Sequence, residues 1–205
     1  MKIDEILNRG PIIPVLTIEN LEDAIPLSEA LFKGGLTVLE ITLRTKFALA
    51  AVERIARSFP AACVGVGTLL DSEDFVRAKN VGASFAVSPG MSLDLVEQAA
   101  LDDLPYLPGI QTSSEAMMAY RTGLRSLKFF PAKAAGGIYG LKQLAPLYPG
   151  LMFCPTGGIG FSEAPDYLKE ENVACVGGSF ASPPDLIKAQ DWNGITAMAE
   201  KAMKL

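Results

Sequence analysis

The chain has 205 residues, 49% of them hydrophobic and 20% charged, with a formal net charge of −5 and no histidine. That length gives one domain with a full core and is short for two, while an acidic balance without a Lys/Arg cluster argues against nucleic acid and for small-molecule partners. The lack of histidine excludes His-based triads and imidazole metal sites, and leaves proton transfer to Glu, Asp, Lys, Tyr, Cys or water.

After the amphipathic turns of Met1 to Arg9 comes Pro11-Ile12-Ile13-Pro14-Val15-Leu16, an apolar run of strand length. Asn20 opens a helix over about Leu21 to Lys33, which Gly34-Gly35 closes. Val38 to Leu43 reads as a strand and Lys46 to Ser58 as a helix; Ala62 to Val66 is a strand, and Asp71-Ser72-Glu73 opens a helix to about Lys79. Phe85 to Val87 leads into a helix from Ser92, and Pro105 to Leu107 into one capped near Ser113 or Ser114. Ser126 to Phe130 leads into a helix over Gly140 to Leu147, and Leu151 to Pro155 into one opening at Ser162. Val173 to Val176 precedes the C-terminal helical segments.

Strand starts thus recur about every 20 to 26 residues, the period of βα repeats. The strands are apolar on both parities, as in a parallel sheet covered by helices. Eight such units predict a small (β/α)8 barrel, a single domain over residues 1–205 with a short N-terminal helical extension. A doubly wound open sheet is the alternative, but the Gly-rich first turn it needs is missing.

Cys63, Cys154 and Cys175 each lie in an apolar run without Cys-x-x-Cys spacing, which predicts buried, reduced thiols and a cytoplasmic location. No run approaches the roughly 18 apolar residues of a membrane span, so a soluble protein without membrane contact is expected.

Within Ser126-Leu127-Lys128-Phe129-Phe130-Pro131-Ala132 a lysine is set into an apolar strand. A buried ammonium is costly unless it is paired or gives up its proton, and a neutral lysine is the nucleophile that forms Schiff bases with carbonyl compounds. On the second strand Glu40, Thr42 and Arg44 share one face, and Leu39, Ile41 and Leu43 share the other. With the apolar faces toward the helices, Glu40 and Lys128 point inward, Thr42 lies above Glu40, and Arg44 is at the mouth. The same parity groups Val64, Val66 and Thr68 on the third strand, and Cys154 with Thr156 on the seventh, which puts Thr68 and Thr156 inside. A carboxylate beside an amine can shuttle protons for imine formation; the alternative is an ion pair that only holds the fold. Thr156-Gly157-Gly158 and Val176-Gly177-Gly178-Ser179 each precede a helix start, where exposed backbone N–H groups bind phosphate.

Together these segments resemble the 2-keto-3-deoxy-6-phosphogluconate (KDPG) aldolase family, class I lyases of the Entner–Doudoroff route. The stretches that carry the resemblance are Pro11 to Val15, Leu39-Glu40-Ile41-Thr42-Leu43-Arg44-Thr45, Gly65-Val66-Gly67-Thr68 and Ser88-Pro89-Gly90. They continue with Leu107-Pro108-Gly109-Ile110, Lys128 to Ala132, Phe153-Cys154-Pro155-Thr156-Gly157-Gly158-Ile159 and Gly177-Gly178-Ser179. The resemblance implies that Lys128 forms the Schiff base and that Glu40 is the general acid/base. It further implies that Arg44 and Thr68 hold the pyruvate carboxylate and Thr156 touches substrate hydroxyls. Pro89 and Phe130 complete the substrate-binding set, and Gly157, Gly158, Gly178 and Ser179 line the phosphate site. A cytoplasmic homotrimer with no metal or other cofactor is also implied, acting on a phosphorylated 2-keto-3-deoxy sugar acid and pyruvate. Lys133 stands where many relatives carry an acidic residue; a solvated, protonated side chain there would add positive potential at the mouth.

Other readings stay open. The chain fits an aldolase for the galactonate epimer or for 4-hydroxy-2-oxoglutarate, or an oxaloacetate decarboxylase using the same imine. From other classes come a phosphosugar isomerase or epimerase and a non-catalytic sugar-phosphate-binding barrel.

Overall fold

The computed structural model describes residues 1–205. A short helix α1 (Ile3–Leu7) precedes an alternation that begins with β1 (Ile12–Leu16), α2 (Ala24–Lys33), β2 (Val38–Thr42), α3 (Ala48–Ser58), β3 (Cys63–Gly67) and α4 (Ser72–Asn80). It continues through β4 (Phe85–Val87), α5 (Leu93–Asp102), β5 (Tyr106–Leu107), β6 (Gly109–Ile110), α6 (Ser113–Arg121), β7 (Ser126–Phe129) and α7 (Gly137–Leu144). The last elements are β8 (Met152–Pro155), α8 (Ala164–Leu168), β9 (Val176–Gly178), α9 (Pro184–Lys188) and α10 (Trp192–Ala202). No helix is long and apolar enough to cross a membrane.

Local chemistry sets the boundaries. Asn20 accepts from the Glu22 N–H and opens a 3-10 turn, Leu21–Asp23, ahead of α2. Asp71 caps α4 by accepting from the Asp74 N–H at 3.0 Å. α6 is capped by Thr112, not by Ser113 or Ser114, because Thr112 and Glu115 complete a reciprocal capping box. α7 begins at Gly137 instead of Gly140: Gly136 and Gly137, at φ 97° and 58°, turn the chain into the helix early. α8 opens at Ala164, not Ser162.

The expected eight strands are nine segments in two parallel sheets, ordered β5-β4-β3-β2-β1-β9 and β6-β7-β8. Pro108 has no N–H to give the ladder, so it divides β5 from β6, although its carbonyl still accepts from the Lys128 N–H at 2.8 Å. The ninth segment starts at Val176, later than expected. Val173 makes only an isolated bridge to Phe153, and a second bridge joins Thr156 to Gly177.

Most of the core lies between the sheet and its helices and includes Leu39, Ile41, Leu127 and Phe129, on the faces expected for them. A smaller cluster fills the concave side, where Ile13, Val38, Cys63 and Phe85 meet Ile6 and Leu7 of α1. α1 therefore stops the end of the interior opposite the strand C-termini. Burying its two aliphatic side chains stabilises this closure by about 1.5–3 kcal/mol each.

β3 departs from the expected parity. Val64 and Val66 pack toward the helices, and Gly65 and Gly67 face inward. The interior beside β3 is already filled: a Cβ at Gly65 would run into the Phe85 ring, and one at Gly67 into the Glu40 carboxyl. Gly65→Ala should therefore destabilise the fold by about 1–3 kcal/mol through overpacking, read as a lowered urea midpoint with an unchanged m-value.

Candidate active site

Lys128 on β7 and Glu40 on β2 meet across the interior, with Nζ 3.1 Å from Oε1. The two residues are only 5% and 3% exposed, so both charges depend on this contact. The sequence separation is 88 residues. What brings them together is strand register: Glu40 lies level with Val15 and Gly65, and Lys128 with Gly109 and Cys154. Gly67 gives the carboxylate its room, and the Phe130 ring lies over Nζ at 5.1 Å from its centroid. No buried side-chain polar atom lacks a hydrogen-bond partner.

One layer further along the strands, toward their C-terminal ends, a cavity of about 710 Å³ opens. Arg44, Phe130 and Thr156 line it, and the two glycine turns contribute Gly157, Gly158, Gly178 and Ser179. Thr156 fits because Gly177 faces it; a side chain at Gly177 would strike its hydroxyl. Thr42, buried as expected, donates to the Leu16 carbonyl at 3.0 Å and shares a hydrogen bond with Thr17. It ties β2 to the end of β1 at the cavity edge.

Two residues of the sequence-predicted set lie elsewhere. Thr68, at φ 68° just past β3, lines a separate cavity of about 350 Å³ with Leu43, Thr45 and Lys46. β3 ends at Gly67, and with its left-handed φ Thr68 has left the strand, so the alternation that would have set it beside Arg44 does not extend to it. Pro89 lines neither cavity; its carbonyl rests against Gly109, where a Cβ would not fit.

Lys133 does not add free positive charge at the mouth. It pairs with Glu163 at 2.8 Å, and Glu163 also accepts from the Gly160 N–H at 3.0 Å. The hydrogen bond and charge of Glu163 raise the Lys133 ammonium above the usual lysine range, and the same contact lowers the Glu163 carboxyl. The ammonium stays protonated, as expected for a loop lysine, but its field is cancelled locally.

The three cysteines are free and buried. Burial raises the Cys63 thiol, and the hydrogen bond to Cys154, then burial, raises Cys175 well above the usual range. Sequence reasoning missed Thr17, Glu19, Ser182 and Lys188, all of which line the larger cavity. Position just beyond a strand end was the available signal for Thr17 and Glu19; the short helix α9 left none for Lys188.

A match to the family model described as "KDPG and KHG aldolase" covers residues 3–198. The chain belongs to this family. The KHG/KDPG aldolase of Escherichia coli strain K12 is 42% identical over 201 residues, which are 98% of this chain and 94% of the relative. A crystal structure of KDPG aldolase from Legionella pneumophila, with pyruvate captured at low pH as a covalent carbinolamine intermediate, matches with a TM-score of 0.97. It is 41% identical and covers 99% of this chain and 98% of that one. The Zymomonas mobilis ZM4 KDPG aldolase with 3-phosphoglycerate matches with a TM-score of 0.93 at 42% identity, covering 98% and 94%.

The buried pair can be tested through stability. Glu40→Gln, which leaves the ammonium unpaired, should cost about 3–5 kcal/mol by urea unfolding, whereas Glu40→Leu with Lys128→Met should recover most of that loss. Tyr106 gives a second test: it shares a 2.6 Å hydrogen bond with Ser88, and burial pushes its phenol up to about 12. A raised phenol contributes stability that is complete below the unfolded value near 10 and is lost as pH rises toward 12. Wild-type stability should fall by about 2–3 kcal/mol more than that of Tyr106→Phe between those pH values.

Proposed function

We propose that this chain is a class I aldolase that cleaves 2-keto-3-deoxy-6-phosphogluconate reversibly to pyruvate and glyceraldehyde 3-phosphate through an imine on Lys128. The observation that carries the reading is the buried 3.1 Å Lys128–Glu40 contact beneath a cavity lined by Arg44 and two glycine turns. Covalent capture of pyruvate by the Legionella relative supports it.

Glu40 takes a proton from the Lys128 ammonium, and the neutral Nζ attacks the C2 carbonyl. The carbinolamine loses water, with Glu40 returning the proton to the departing hydroxyl, and an iminium remains. Glu40 then accepts the C4 hydroxyl proton as the C3–C4 bond breaks, and the bonding electrons pass into the iminium to give an enamine. The aldehyde leaves, Glu40 protonates C3, and water hydrolyses the imine to pyruvate and free Lys128. The iminium is the electron sink, so the scheme requires no cofactor.

In this reading Arg44 holds the pyruvate carboxylate and Thr156 contacts a substrate hydroxyl. Phe130 packs on the bound keto acid, and Gly157, Gly158, Gly178 and Ser179 cradle the phosphate. Thr68 and Pro89, which do not line the larger cavity, have no assigned contact in this scheme. The name of the Escherichia coli relative favours 4-hydroxy-2-oxoglutarate as a second substrate.

The fold in this proposal is one domain and one closed eight-stranded barrel. Tyr106 to Ile110 counts as a single strand bent at Pro108, and the Thr156–Gly177 bridge supports closure between β8 and β9. The assembly is the homotrimer implied by the family resemblance, with exposed Leu70, Val76 and Leu93 as apolar surface for it. Three free, buried thiols support a cytoplasmic location.

Pyruvate with sodium borohydride should leave a reduced adduct confined to the Lys128 peptide by mass spectrometry. Lys128→Arg should lose KDPG cleavage by about 10³-fold or more. An adduct on Lys133 would move the nucleophile into the loop. No adduct in folded protein, with partial activity retained by Lys128→Arg, would favour an isomerase.

A further inference from the structure

The phosphate end of the larger cavity contains only neutral donors among the residues assigned so far: glycine N–H groups and the Ser179 hydroxyl. A cation beside these donors would strengthen the hold on a phosphate dianion through a charge-assisted hydrogen bond. The charged side chains lining this cavity are Glu19, Asp23, Arg44 and Lys188. Asp23 accepts from Gln190 at 3.1 Å, and Arg44 is assigned to the carboxylate. Lys133, the other nearby lysine, is engaged with Glu163 and does not line the cavity.

Lys188 remains. It lies at the end of α9, and the three α9 residues that line the cavity are Pro184, Ile187 and Lys188. Positions i, i+3 and i+4 form one helical face, so Lys188 is presented to the cavity by the same face as Pro184 and Ile187. The loop from Ser179 to α9 is tight, because the Ser179 carbonyl accepts both the N–H and the hydroxyl of Ser182, at 3.0 and 3.3 Å. That turn holds α9 beside Gly178 and Ser179. Arg44 and Lys188 together balance Glu19 and Asp23, and removing Lys188 would leave the lining net negative where an anion must enter.

We propose that Lys188 is the counter-charge for the substrate phosphate and sets the preference for phosphorylated over unphosphorylated ligands. The inference rests on the aldolase reading and adds a residue to it. Arg44 and Lys188 then meet the two anionic groups of one substrate, the carboxylate and the phosphate.

The test compares wild type, Lys188→Met and Lys188→Arg in KDPG cleavage and in exchange of pyruvate methyl protons, which involves no phosphate. Lys188→Met should raise KM for KDPG about tenfold with kcat within about twofold, and should weaken inhibition by inorganic phosphate by a similar factor. Half-saturation by pyruvate should not change, Lys188→Arg should behave as wild type, and added salt should narrow the difference in KM. An unchanged KM for KDPG in Lys188→Met, or an equal loss for pyruvate, would overturn the role of Lys188. A wild-type protein that exchanges pyruvate protons but does not cleave KDPG would instead refute the substrate assignment, and the Lys188 inference with it.

Discussion

A lysine and a glutamate held 3.1 Å apart inside a hydrocarbon interior constrain everything around them. Neither charge tolerates burial alone, so β2 and β7, from opposite parts of the chain and from different sheets, must deliver them to one point of the interior. Gly67 has to lack a side chain because the Glu40 carboxyl occupies that space, and Gly65 yields to Phe85 in the same way. The valines between these glycines consequently pack outward against the helices. The same pair needs no added group to exchange a proton, so one contact answers both the electrostatic problem of the fold and the first step of the proposed chemistry.

Selectivity is built one layer higher. Strand ends give way to glycine turns, and the groups around the cavity are set by backbone as much as by side chains. Thr156 has its position because Gly177 faces it, and the turn that follows is braced from outside by Lys133 and Glu163. Only Arg44 and Lys188 bring positive charge to this lining. In the proposed scheme the reacting pair is buried and satisfied, whereas the groups assigned to recognition line an open cavity.

Much of this was legible in the residues. Alternation on β2 placed Glu40 inside and Leu39 and Ile41 outside, and the lone lysine among phenylalanines placed Lys128 opposite. Apolar runs gave the parallel strands and fixed their order along the chain. The third strand misled because two inward glycines carry no hydrophobic signal: the conspicuous Val64 and Val66 face the helices, and Thr68, at a left-handed φ past the strand end, no longer follows the alternation. Pro108 divided a strand because a missing N–H acts on pairing, which hydrophobic pattern does not report. A loop position marks Lys133 as charged, but its pairing with Glu163 from another loop has no signal in the sequence. Lys188 sits on a five-residue helix, too short for periodicity to declare a face.

The small helix α1 also bears on the order of events. Ile6 and Leu7 pack at the far end of the interior, so the open side of the fold is the cavity at the glycine turns. A substrate bound by its keto end at the floor and its phosphate end at the rim stands like a cork in a bottle. On the proposed chemistry, carbon–carbon cleavage would leave the phosphorylated aldehyde in the neck and the three-carbon fragment tethered below it. In the proposed scheme the imine retains the three-carbon fragment while the aldehyde is free, so the aldehyde leaves first and in synthesis pyruvate enters first; the packed end at α1 leaves the cavity side for both.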